Sequence, residues 1–84
     1  MTCVICAADV ASLPNGNGID GVGFNCYACG PYFVTRTHLE GRLPGQMFNL
    51  QEAINWLKAW RADNPGEIAI ISEASLAWAN PPFR

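Results

Sequence analysis

The sequence predicts a small α+β fold on three observations. All four cysteines fall in two Cys-x-x-Cys pairs, the residues around the second pair alternate as strands do, and residues 49–63 carry a capped apolar stripe. A chain of 84 residues supplies one domain spanning 1–84 and little more. Half the residues are hydrophobic and only 14% are charged, which marks a globular chain and not a disordered one. So small a core commonly needs a staple. The longest apolar runs, such as Ile68 to Ile71, are far too short to span a membrane. Met1-Thr2-Cys3 offers no basic region followed by an apolar stretch, so no export signal and a cytoplasmic location are expected.

The staple is visible in the cysteines. Cys3 and Cys6 form one pair, Cys26 and Cys29 the other, with nineteen residues between them. A Cys-x-x-Cys turn places two sulfurs on one side of a tetrahedron, and two such turns complete the four-thiolate set that a structural Zn²⁺ takes. Gly30 follows the second pair, where a knuckle needs the positive φ that glycine adopts cheaply. Ala7 follows the first pair, a departure from that pattern. Two disulfides would require an oxidising compartment, and a redox Cys-x-x-Cys would stand alone beside a βαβ pattern. Iron remains an alternative, because four thiolates bind it as well. Four protein ligands leave no open position, so the one ion expected is structural. His38 lies off the motif spacing and reads as a surface histidine.

Around these pairs the elements follow in order. Between Leu13 and Phe24, Pro14, Asn15-Gly16, Asn17-Gly18 and Asp20-Gly21 are turn chemistry and predict a hairpin tip. No phosphate-loop register is present among these glycines. Val22, Phe24 and Cys26 alternate with Gly23 and Asn25 as a half-buried strand, and Tyr32 to Thr35 reads as the returning strand. Thr37 is placed to cap a short helical turn through Leu39, before Gly41, Pro44 and Gly45 break it. Asn49 with Glu52 makes a capping box, and Leu50, Ala53, Ile54, Leu57 and Trp60 follow the helical period, with Trp56 extending the stripe sideways. Pro65-Gly66 ends that helix. Glu67 to Ser72 reads as a short strand or an extended segment packing along the ribbon, and Ser72 as the cap of a last helix, Glu73 to Ala79, stopped by Asn80-Pro81-Pro82. The expected architecture is therefore a zinc-stabilised four-cysteine β-ribbon at 1–37, packed against a helical C-terminal half at 46–80 that shares its core.

The first half resembles the zinc ribbon family through Cys3, Cys6, Cys26, Cys29 and Gly30. The run GFNCYACGPYFVT, followed by INWLKAW, is similar to the N-terminal zinc ribbons of small bacterial and prophage proteins. What the resemblance implies is metal ligation and fold, not an activity.

Three function classes remain to be weighed. An enzyme is not expected, because no nucleophile stands with a base and Asp9, Asp20, Glu40 and Glu52 are scattered. A nucleic-acid-binding zinc ribbon with a regulatory role is the alternative reading, with Tyr27, Tyr32 and Phe33 as stacking candidates. The net charge of −2, lowered by two further units when four thiolates hold one Zn²⁺, argues against it. The leading reading is a non-enzymatic protein-interaction module, an adaptor or small inhibitor of the anti-defence kind that phages and mobile elements encode. Its candidate contact residues are Trp56, Trp60, Arg36 and Arg42, each with an ordinary structural reading beside it: core packing for the tryptophans, a solvated linker for the arginines. A homodimer burying the apolar helix face is compatible with so small a core.

Overall fold

The computed structural model describes residues 1–14 and 20–79. Within them, four strands form one sheet in the order β1-β2-β3-β4: β1 Ala11–Leu13, β2 Gly21–Cys26, β3 Gly30–Thr35 and β4 Ala69–Ile71. The first three are antiparallel neighbours, and β4 joins β3 in parallel, setting Tyr32 opposite Ala69 and Val34 opposite Ile71. Helices α1 (Arg36–Glu40) and α2 (Leu50–Asp63) lie in the connection between them, as a parallel crossover requires. The Asn15-Gly16 and Asn17-Gly18 turns, and the Asn80-Pro81-Pro82 stop, fall outside the described residues.

Strand alternation builds the core. Phe24, Tyr32, Val34, Ala69 and Ile71 form one buried cluster with Ala53 and Leu57 of α2 and with Cys3, Cys26 and Cys29. The two halves of the chain thus contribute to a single core, and the C-terminal half adds a strand to the ribbon's own sheet. On the other face the register aligns Leu13, Gly23, Phe33 and Ile70. A side chain at Gly23 would meet the Phe33 ring at 2.7 Å, so glycine there lets the ring lie flat across the strand. Val22, expected on the buried side, is exposed near the start of its strand.

Helix α2 begins as its sequence dictates. The Asn49 side chain accepts the backbone N–H of Glu52 at 3.0 Å, satisfying one of the donors that a helix start leaves free. Its buried face is narrower than the apolar stripe suggests. Ala53 and Leu57 are enclosed, Ile54, Trp56 and Trp60 are half-buried beside them, and Leu50 is 54% exposed. Leu50 is the first residue of the helix and stays exposed, while Ala53 three residues on is enclosed. Helix α1 starts at Arg36 with Thr35 in the cap position, ahead of the Thr37 cap expected, because Thr35 is still extended as the last residue of β3.

The helix expected over Glu73–Ala79 is a single turn. Ser75 donates its N–H to Ser72 O at 2.9 Å, and the chain then leaves helical geometry. Residues 76–79 are drawn off by stronger partners. Ala79 N–H donates to Met47 O at 2.9 Å, Gln46 Nε2 donates to Ala79 O at 2.6 Å, and Trp78 stacks on Phe48 with ring centres 4.1 Å apart. One turn of helix is poorly nucleated on its own, so these contacts decide its conformation.

His38 lies beneath this strap and is buried, which corrects the surface reading. Its Nε2 donates to Leu76 O at 2.7 Å, and its backbone carbonyl accepts the Trp78 indole N–H at 2.8 Å. Among the described residues, no helix is long and apolar enough to cross a membrane.

Candidate metal centre

Two tight turns present the four cysteines. The first is closed by a bridge between Thr2 and Asp9 and by the Cys3 N–H donating to Ala8 O at 2.8 Å. The second is the turn between β2 and β3, closed by the Cys26–Gly30 pairing. Each turn reverses through one residue of positive φ, Ala7 at 70° and Gly30 at 85°. The two knuckles therefore share a backbone shape although only one carries glycine. A left-handed L-residue costs roughly 1–2 kcal/mol, while glycine costs about 0.5–1 kcal/mol in unfolded-chain entropy. Ala7→Gly is accordingly expected to raise stability by about 0.5–1 kcal/mol, and Gly30→Ala to lower it. Denaturant midpoints of the metal-loaded variants check both, and equal midpoints for Gly30→Ala and the parent would refute the strain argument.

The sulfurs converge. Cys6 and Cys26 are 3.5 Å apart, Cys3 and Cys29 3.9 Å, and all four lie within 4.8 Å of one another. A disulfide needs roughly 2.0 Å, and all four thiols are free. Four thiolates about 2.3 Å from a central ion would be roughly 3.8 Å apart, so the set suits a tetrahedral metal ion. Cys3, Cys26 and Cys29 are buried, and Cys6 is partly so.

Hydrogen bonds organise the cluster. Cys3 Sγ accepts from Ile5 N–H at 3.4 Å and Cys26 Sγ from Cys29 N–H at 3.3 Å, so the leading cysteine of each pair is held by its own turn. The Tyr32 hydroxyl lies 3.0 Å from Cys3 Sγ and accepts the Val4 N–H at 3.3 Å. From α2, Arg61 donates to the Cys29 carbonyl at 2.9 Å and to the Pro31 carbonyl at 3.0 Å, gripping both sides of Gly30.

The sulfurs sit in different electrostatic surroundings. Burial raises the Cys3 thiol, but the Tyr32 hydroxyl and backbone N–H groups outweigh it and bring the pKa down to about 7. Burial first, then hydrogen bonds with Cys6 and Cys26, push Cys29 well above the ordinary thiol range. Burial and the neighbouring Cys3 push Tyr32 up too, so its phenol keeps its proton. A thiolate at Cys3 thus adds to the cost of ionising Cys29, a repulsion that a divalent ion would remove.

The other candidate residues are dispersed. Trp56 and Trp60 are neighbours on α2, ring centres 6.4 Å apart, each half-buried against the core. Arg36 pairs with Asp20 at 2.6 Å on the surface, where solvent screens the pair. Arg42 donates to the Gln46 carbonyl and lies over the Trp78 ring, 5.6 Å from its centre. Tyr32 and Phe33 are buried and cannot stack bases, while Tyr27 is fully exposed. His38 is not among the clustered ligands. Sequence reasoning missed Tyr32 and Arg61 as supports of the site, because each acts on a partner about thirty residues away and no local pattern records that distance. Comparison with known families, curated proteins and solved structures found no match for this chain.

Proposed function

We propose that the chain is a zinc-binding, non-enzymatic protein-interaction module: an adaptor or small inhibitor, of the anti-defence kind that phages and mobile elements encode, working in the cytoplasm. The observation that carries this reading is the Trp56–Trp60 pair, half-exposed and side by side on a helix pinned to the metal cluster through Arg61. Rigid, amphipathic aromatics on a fixed support are what binding hot spots use. Zinc is proposed because a closed set of four thiolates is its structural site.

The state of the cations adds support. Arg36, Arg42 and Arg61 are each engaged within the chain, which leaves Lys58 as the described side-chain cation without such a contact. A basic groove for phosphates needs more. An acidic surface suits a target's basic channel instead, with carboxylates standing where phosphates would. Tyr27, exposed in the second knuckle, is the one feature that favours the nucleic-acid alternative.

Capture of partners from bacterial lysate on the zinc-loaded protein, with and without nuclease, separates the two. The expected result is a stoichiometric protein that survives nuclease and is lost, by about 30-fold or more in affinity, with Trp56→Ala. That variant should keep the parent's metal content and a cooperative melt, lowered only by what the buried part of the ring contributes. Capture that vanishes with nuclease would establish the alternative.

A further inference from the structure

We propose that Tyr32 is a positioning residue for the metal, whose buried O–H donates to the Cys3 thiolate and sets the electron density of that one ligand. The inference rests on the four-thiolate reading of the site. The direction of the bond follows from counting. A metal-bound Cys3 has no proton to give, and the Tyr32 oxygen already accepts from Val4 N–H at 3.3 Å, so the phenol hydrogen is directed to Cys3 Sγ, 3.0 Å away.

Three features make this bond more than incidental. Tyr32 is wholly buried, so no water competes for its hydroxyl or replaces it. Its ring is fixed, stacked on Phe24 at 5.0 Å and 11°, and its backbone lies in β3 between two paired neighbours. It is also asymmetric: among the described residues, Cys3 is the one cysteine whose sulfur a side-chain hydroxyl contacts. A core needing only volume would take phenylalanine here, because a buried hydroxyl is costly unless bonded.

A hydrogen bond to a thiolate withdraws electron density from sulfur. It stabilises the ligand as an anion, weakens its tendency to be oxidised, and favours the lower charge state of a bound metal. The test uses the full chain, wild type and Tyr32→Phe, loaded separately with Zn²⁺, Co²⁺ and iron. For Tyr32→Phe the expected results are an about 10–100-fold loss of zinc affinity by chelator competition, a shift of the Co²⁺ thiolate charge-transfer band to lower energy, and a lower iron reduction potential. A ring that merely fills space would move neither band nor potential.

Replacing Tyr32 by 3-fluorotyrosine, a stronger donor of nearly the same shape, is expected to move the band and the potential the opposite way. It keeps the proposal falsifiable if Tyr32→Phe fails to fold. Unchanged band and potential in the fluorinated protein would overturn the proposal. Failure of the wild type to bind any of the three metals would instead overturn the metal reading beneath it.

Discussion

Serine in place of Cys26 is expected to abolish cooperative folding. Cys26 closes the second knuckle, is buried in the shared core, and stands 3.5 Å from Cys6 across the cluster. A structural zinc site contributes about 10–16 kcal/mol at neutral pH. A chain of this length holds a net stability of roughly 4–13 kcal/mol at ~0.05–0.15 kcal/mol per residue. On the proposed zinc reading, losing the metal therefore removes as much as the fold has. A chelator should flatten the thermal transition of the parent and added Zn²⁺ restore it, whereas Cys26→Ser should show no transition under either condition. A native-like melt of Cys26→Ser would defeat the structural role. Acid works in the same direction, since each departing thiolate takes up a proton.

Leu57→Ala is the second large effect. Leu57 is 1% exposed and belongs to the cluster that joins α2 to Tyr32, Ile71 and the cysteines. Removing a buried leucine side chain costs about 2–5 kcal/mol, depending on how far the site collapses. In a domain of this size the melting temperature should fall by at least roughly 8 °C. Because the core is shared, metal affinity should weaken with it. Zinc binding unchanged while α2 melts early would mean that the ribbon folds without the helix, contrary to the packing.

The parts legible in the sequence were those written in short spacings. The cysteine pairs, Gly30, the Asn49 cap and the Pro65-Gly66 stop all act within a few residues, and each stands where its local chemistry puts it. What was not legible depends on distant partners. His38 looked like a surface residue because nothing near it reveals that Leu76 and Trp78 fold over it. The turn at Glu73–Ser75 carried a plausible cap, and its fate was decided by Met47, Phe48 and Gln46. Leu50 matched the apolar period yet is exposed at the helix's first position. Ala7 departed from the glycine pattern, and its left-handed backbone is one that its residue type rarely takes.

The outer strands of the sheet have a bearing on how the protein behaves at high concentration. Both β1 and β4 are three residues long, half the length of the six-residue strands between them. Ile70 in β4 and Ile68 just before it stand partly exposed, the composition that recruits further strands and seeds fibres when an edge is long and flat. Here each edge is too brief to register more than a couple of backbone bonds with a neighbour. Among the described residues, the sheet carries greasy side chains at its margin on an edge only three residues long.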